Sequence, residues 1–392
     1  MGLFRRYQGS YLSYVLAFFW YYFAMAVFTS VLSVYLTGLG KSASEMSFIV
    51  SASGIFSFFA VPLAGSLNDR TARPKLLSCG MLLGAGALGL VFAMSRSVWA
   101  LFLLNGLIMS LINSILPICE RMAGASKYRY GALRVWGTLG YAAGAQGAGL
   151  ALEYVEPAFI FVLLLASSLL AAAGFCGAET PSAVSPKREA LPAPEKRPGL
   201  LAVLSNPSFL LFLCIVCLFG GSQGVNNTYA PMLLTRLGVP ASAVGTVLFF
   251  STLVEFPIIL FSHRFMDRFS GKALLLCCFA ITIVQFLCYG LFPWAGAVIP
   301  VMVLLKAVAS TLFNMINLKV TRNLMDPRLT TTCLSVINSV SSMAGILLQN
   351  AGGLLVDRTD IPLLYLCLTV LNLAGLVLAL FLKLGNQEKV FS

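Results

Sequence analysis

Long stretches of apolar residues dominate the chain, and short polar or charged segments separate them. The first stretch runs from Tyr7 to Gly40 without an acid or a base. About 20 apolar residues in a helix cross a hydrocarbon core about 30 Å thick, so each stretch is long enough to span a bilayer. The pattern predicts twelve membrane-spanning helices, approximately 11–36, 45–67, 75–95, 98–122, 130–152, 157–177, 207–234, 242–266, 272–292, 295–320, 330–354 and 361–383.

The composition supports the same fold class. Apolar residues make up 59% of the 392 residues and charged residues 10%, whereas soluble domains are about 45–50% apolar and about 25% charged. We therefore expect an all-α, polytopic membrane protein. The composition excludes a soluble enzyme, a nucleic-acid-binding protein and a secreted disulfide-rich domain.

The basic residues are distributed unevenly among the segments between the predicted helices. Of the 26 lysines and arginines, three lie within helices and four lie in the odd-numbered loops, at Lys41, Arg96, Arg236 and Arg358. The other 19 lie at the termini and in the even-numbered loops. The positive-inside rule then predicts that both termini of this multi-pass protein are cytoplasmic. We expect it in a bacterial cell membrane, the inner one. Topology accounts for the net charge of +12, so no nucleic-acid partner is expected.

The chain divides into two halves of six predicted helices each. Residues 1–177 form the first half and 207–392 the second, and the segment 178–206 is rich in proline and charge, as a solvated cytoplasmic linker would be. The halves echo each other, since an Asp-Arg pair follows both the second and the eighth predicted helix, at Asp69 and Asp267. Parallel repeats of this kind are typical of secondary transporters whose substrate site lies between the halves.

A recognisable motif follows the second predicted helix. The pattern Gly-x-x-x-Asp-Arg-x-x-Arg-x-Lys is formed by Gly65, Asp69, Arg70, Arg73 and Lys75. It resembles the signature of the major facilitator superfamily, although Ala72 replaces the usual second glycine. The resemblance implies that these five residues form a conformational gate with a breakable salt bridge. It implies nothing about the transported solute.

Two opposite charges lie at matching depth in the fourth and fifth predicted helices. Glu120 precedes the connecting loop by about one turn, and Arg134 follows it by about one turn. Ionisable residues within a membrane are costly and mark functional sites by default. Pairing would lower that cost, so we expect a substrate site here. The alternative is that both side chains are interfacial and extend to water.

The residues around these charges resemble a narrower family. Pro117-Ile-Cys-Glu120, the segment Gly131–Tyr141 and the aromatic run Phe18–Met25, which contains Trp20, are similar to lactose permease and its oligosaccharide:proton symporter relatives. The resemblance implies that Glu120 and Arg134 bind sugar hydroxyls and that Tyr141 stacks on a sugar ring, with Trp20 as a further substrate residue. Permeases for nucleosides and phenylpropionate-like acids share the Gly-x-x-Arg form, so those substrates stay open.

The second half departs from that family at the positions that handle the proton. Lys306 matches the family's lysine in the tenth helix, but Ala309 and Leu312 stand where the resemblance would place a histidine and a glutamate. Asn226 replaces the aspartate of the seventh helix, and with its neighbour Asn227 it becomes a candidate substrate residue.

One carboxylate remains near mid-membrane in the second half, that of Glu255 in the eighth predicted helix. We expect Glu255 to pair with Lys306 and to carry the coupled proton. Burial favours the protonated form of a carboxyl group and a nearby ammonium group favours the ionised form, so a change in surroundings can make the group bind or release a proton. The alternative is a fixed structural ion pair.

These observations predict a monomeric secondary transporter that takes up a small polar solute with protons by alternating access. A sugar or glycoside is favoured, and a nucleoside or an aromatic acid is the alternative. Proton-linked drug export and a non-transporting membrane receptor are further alternatives. The chain has one histidine, His263, and no Gly-x-x-x-x-Gly-Lys loop. We therefore expect no metal site, no cofactor, no ATP-driven step and no enzymatic activity.

Overall fold

The computed structural model describes residues 7–71, 73–124, 126–178, 206–265, 268–325, 330–382 and 384. Every regular element among them is helical, which confirms the all-α class. The long helices are α1 (Tyr11–Thr29 and Leu32–Gly38), α2 (Ala43–Thr71), α3 (Pro74–Met94), α4 (Val98–Gly124), α5 (Tyr130–Tyr154), α6 (Phe159–Gly177), α7 (Pro207–Arg236), α8 (Ala241–Phe265), α9 (Gly271–Leu291), α10 (Ala295–Val301, a π-helical turn Met302–Lys306, and Ala307–Leu324), α11 (Thr330–Arg358) and α12 (Ile361–Phe381).

Within the described residues, ten of these helices are long and apolar enough to cross a membrane. The protein is therefore a multi-pass membrane protein, and the predicted count of twelve spans is confirmed in part. The exceptions are α5, which is rich in glycine and carries Arg134 and Glu153, and α8, whose apolar stretch Ala241–Glu255 is shorter. Of the predicted linker 178–206, only the two end residues belong to the described part, and Asp267 lies outside it.

The helices pack into two compact units. The first unit contains α1–α6 and residues 238–253, and the second contains α7 up to Leu237 and the chain from Val254 onward. In the first unit, α1 packs on α5 and α6, α2 on α4, and α3 on α4 and α6. In the second unit, α7 packs on α11 and α12, and α9 on α10 and α12. The pairs of the second unit therefore repeat pairs of the first, with each helix number raised by six.

Glycines bring α1 and α5 together in the first unit. A Cβ at Gly144 would lie 2.5 Å from the carbonyl oxygen of Phe23 and 2.9 Å from the Cβ of Ala26. Close approach through small residues is typical of helix packing in membranes, where van der Waals contact replaces the hydrophobic effect. The aromatic run of α1 is thereby held directly against the α5 face that carries Arg134.

The first part of α8 packs on the end of α5 by the same means. A Cβ at Gly149 would lie 2.5 Å from the carbonyl oxygen of Ala241 and 2.9 Å from the Cα of Gly245. The two backbones therefore cross in direct contact. Just beyond the crossing, the Glu153 carboxylate accepts a hydrogen bond of 2.7 Å from the backbone N–H of Ser242.

Aromatic side chains fill the interior of the second unit. The rings of Phe219 and Phe313 stack with their centroids 3.9 Å apart, and Phe279 meets Phe219 edge-on at 5.4 Å. Ala309 and Leu312 belong to this same hydrophobic core. Both are buried, so the two positions that the family comparison singled out in α10 contribute apolar packing here.

Candidate functional site

The arginine of α5 lies over an aromatic ring of α1. The guanidinium carbon of Arg134 is 4.5 Å from the ring centroid of Tyr22, within cation–π range. Gly137 makes room for this arrangement, because a Cβ there would lie 2.6 Å from Cδ2 of Tyr22. Arg134 itself is half-buried. The missing Cβ at Gly137 thus leaves room for the ring and for the guanidinium group, and Arg134 stays partly accessible.

Glu120 and Arg134 lie around the same buried tyrosine. Both charged side chains lie close enough to Tyr21 and to Cys119 to interact with them electrostatically. Tyr21 is fully buried and donates a hydrogen bond of 2.9 Å to the carbonyl oxygen of Ile112 in α4. The structure therefore gathers the two charged residues in one neighbourhood of the first unit.

The two other candidates of the first half occupy different places. Trp20 is half-buried and packs on the rings of Phe19 and Phe23, with centroid distances of 5.2 and 5.1 Å. Tyr141 is half-buried on α5, seven residues after Arg134, so two helical turns place both residues on one face. The ring beneath the guanidinium group is thus that of Tyr22, while Tyr141 lies further along the same face of α5.

In the second unit, Glu255 lies close enough to Lys306 for its carboxylate charge to act on the ammonium group. Both residues are half-buried. Lys306 is the last residue of the π-helical turn Met302–Lys306. Single π-helical turns within α-helices are frequently found at functional sites. The structure therefore brings together the two groups to which the sequence assigned proton coupling.

The two asparagines of α7 point in different directions. Asn226 is fully buried: its amide donates to Oε1 of Gln223 at 3.3 Å, and its oxygen accepts from the Tyr365 hydroxyl at 3.2 Å. Asn227 is exposed. Neighbouring helical residues lie about 100° apart, so the structure separates these two candidates.

The gate motif spans the connection between α2 and α3. Arg70 and Arg73 are exposed, and the side chain of Asp69 lies outside the described part. A Cβ at Gly65 would meet no atom within 4 Å, so no close helix contact requires this glycine in the structure. Lys75 donates to the carbonyl oxygen of Cys176 at 3.3 Å, which ties α3 to the last turn of α6.

Sequence reasoning missed two residues of these arrangements. Tyr22 was part of the quoted aromatic run, but only Gly137, one turn after Arg134, could have indicated which ring lies beneath the arginine. The role of Glu153 was also missed. The small residues Ala145 and Gly149, four positions apart and matched by Ala241 and Gly245, could have indicated the helix crossing beside it.

Comparison with known proteins places the chain among transporters. The sequence model of the MFS_1 like family matches residues 11–367. The chain is 27% identical to the maltose permease of Geobacillus stearothermophilus over 384 residues, which covers 95% of this chain and 96% of that protein. It is 32% identical to the raffinose permease of Escherichia coli over 167 residues, covering 40% and 39%. The crystal structure of the nucleoside transporter NupG shares the fold, with a TM-score of 0.76, 17% identity, and coverage of 95% and 97%.

Proposed function

Because the chain belongs to the MFS_1 like family, and is a membrane transporter and not an enzyme, we propose that it imports a small sugar or glycoside together with protons. Transport would proceed by alternating access, with both termini in the cytoplasm of a bacterial cell and the monomer as the working unit. The names of two relatives, a maltose permease and a raffinose permease, favour a sugar over other polar solutes.

The observation that carries the proposal is the set formed by Arg134, Tyr22 and Glu120. A guanidinium group donates several hydrogen bonds and a carboxylate accepts them, which suits a solute with many hydroxyl groups. The ring that orients the guanidinium group fixes the donors before the solute arrives, so less entropy is lost on binding. Tyr141, on the same face of α5, would supply the aromatic surface for the apolar face of a sugar ring.

The carboxylate of Glu255 beside Lys306 supports the coupling part of the proposal. A half-buried carboxyl group near an ammonium group can exchange a proton when its exposure to water changes. Asn227, which is exposed on α7, is the second-half candidate for contact with the solute, whereas Asn226 would act on the solute only through its buried neighbours. The gate residues Gly65, Asp69, Arg70, Arg73 and Lys75 would control the cytoplasmic ends of α2 and α3.

A counterflow screen with the purified protein in liposomes tests the substrate class. Maltose and raffinose are expected to exchange against a preloaded sugar, whereas uridine and phenylpropionate are not. Arg134→Lys and Glu120→Gln should abolish exchange, while Arg129→Gln, which changes an exposed base just before α5, should leave exchange at the parent level. Exchange of uridine or phenylpropionate without any sugar exchange would overturn the proposal.

The coupling residue is tested separately with an imposed proton gradient. Glu255→Gln should stop uphill accumulation of the sugar and still permit its exchange, because exchange needs the site and the conformational change but no net proton movement. If Glu255→Gln accumulates sugar with normal proton dependence, Glu255 does not carry the proton, and the assignment of the substrate site is unaffected.

A further inference from the structure

Two cysteine thiols are in contact where α3 begins and α6 ends. The sulfur atoms of Cys79 and Cys176 are 3.7 Å apart, and neither cysteine belongs to a disulfide. They lie in the first unit but on different helices, 97 positions apart in the chain. A contact between thiols so distant in sequence is set by the packing of the two helices and not by local chain geometry.

The last turn of α6 receives donors from two neighbouring segments, which fixes its position. The Tyr7 hydroxyl donates to the carbonyl oxygen of Ala173 at 3.0 Å, and the backbone N–H of Gly9 donates to the carbonyl oxygen of Gly177 at 2.8 Å. From α3, Lys75 donates to Cys176 and the Cys79 thiol donates to Ala172 at 3.5 Å. The carbonyl groups of Cys176 and Gly177 are among those that the end of a helix leaves unpaired, so these two donors supply partners that the helix itself lacks.

We propose that Cys79 and Cys176 are an oxidation site at which a peroxide converts the two thiols into a disulfide. Cys176 is the more exposed of the two and lies one residue before the end of α6, whereas Cys79 is half-buried, so Cys176 is the thiol assigned to the first step. The Cys176 sulfur takes one oxygen atom from the peroxide to become a sulfenic acid, and one water is released. The Cys79 sulfur then attacks the sulfenic sulfur, the disulfide bond forms, and the second water leaves. Two thiols and one hydrogen peroxide thus give one disulfide and two waters.

The disulfide would link the first part of α3 covalently to the C-terminal end of α6. The sulfur atoms must approach from 3.7 Å to about 2.05 Å. Oxidation also removes the thiol proton that Cys79 donates to Ala172, while the Lys75 contact with Cys176 can persist. A reducing environment would convert the disulfide back into two thiols, as expected for an exposed disulfide that responds to oxidants. The modification therefore acts on the helix that carries the last base of the gate motif.

Peptide mapping of the full-length protein in liposomes after hydrogen peroxide treatment tests the proposal. Mass spectrometry should find the Cys79 peptide joined to the Cys176 peptide. In Cys79→Ser the reaction should stop at the sulfenic acid of Cys176, and its capture by dimedone should rise at least tenfold over the parent. Cys214→Ser, which removes an exposed cysteine of the second unit, should leave the yield of the joined peptides unchanged.

A second measurement does not depend on any substitution. Parent protein unfolded in dodecyl sulfate before oxidation should give at most one tenth of the joined peptides, because the two helices no longer hold the thiols together. Equal yields from folded and unfolded protein would overturn the proposal. Oxidation of Cys176 to stable sulfenic acid in the folded parent, with no joined peptides, would overturn it as well.

Discussion

The carboxylate of Glu153, near the end of α5, accepts a hydrogen bond of 2.7 Å from the backbone N–H of Ser242 in the first turn of α8. The first N–H groups of a helix have no partner within it, and a negative charge there also interacts favourably with the helix dipole. Glu153 lies one residue beyond the predicted span 130–152. Hydrogen bonds from the side chain and the backbone of Ser242 lower the pKa of the Glu153 carboxyl group.

Glu153→Gln is expected to lower the melting temperature of the purified protein at pH 7 and to make no difference in acid. A carboxyl group whose pKa is lowered by folding stabilises the fold above its ordinary value, about 4.3. That contribution disappears as the pH falls through the lowered value. Thermal unfolding at pH 7 and pH 3 measures the effect. Glu156→Gln, which changes an exposed acid of the following loop, is the control and should melt like the parent at both pH values.

Gly149→Ala is expected to destabilise the protein by about 1–3 kcal/mol, as overpacking does. The added methyl group would meet the backbone of Ala241 and Gly245, and neither can move as a flexible side chain could. Gly131→Ala is the matched control on the same helix, because a Cβ there meets no atom within 4 Å. Equilibrium unfolding in mixed micelles should separate the two variants, and equal stability would show that the crossing is looser than the structure indicates.

Tyr22→Leu is expected to weaken sugar binding roughly 2- to 30-fold, which corresponds to a cation–π contribution of about 0.5–2 kcal/mol. Tyr22→Phe keeps the ring face beneath Arg134 and should bind within about twofold of the parent. Competition in the counterflow assay provides the affinities. Trp20→Leu removes a ring that packs on Phe19 and Phe23, and it should have the smaller effect. A larger loss for Trp20→Leu would assign the main aromatic contact to Trp20.

Glu255→Gln and Lys306→Gln are expected to be non-additive in stability. Each single change removes one charge from beside the other, whereas the double change removes both, so a coupling energy of about 0.5–3 kcal/mol should appear. Unfolding of the four proteins of the cycle gives this energy. Replacing Lys306→Gln by Lys272→Gln, at the start of α9, provides a control cycle that should be additive within about 0.5 kcal/mol.

Hydropathy located the helices well and their orientations poorly. The predicted spans 98–122 and 361–383 correspond to Val98–Gly124 and Ile361–Phe381, because long apolar runs mark helix positions clearly. In a membrane helix, however, every face can be apolar, so the sequence pattern does not show which side chains face the protein interior. Asn226 and Asn227 were therefore proposed together, although only Asn226 is buried.

The sequence predicted which charged residues form the candidate site, but it did not predict which side chains they contact. Glu120 with Arg134 and Glu255 with Lys306 follow from depth in the membrane, which residue counting estimates directly. The choice of Tyr22 over Trp20 beneath Arg134 depends on how α1 is rotated against α5, and that rotation depends on glycines such as Gly137 and Gly144. No property of the aromatic run alone contains this information.

The π-helical turn Met302–Lys306 changes how α10 should be aligned with its relatives. A π turn holds one residue more than the α-helical turn it replaces, so every side chain after it is rotated by about 100° relative to an uninterrupted helix. Consider a relative whose tenth helix lacks the turn, aligned with this chain without gaps. The residue that occupies the place of Ala309 or Leu312 in space would then be aligned one position away from it. An insertion of one residue is therefore expected where homologous sequences are compared across α10.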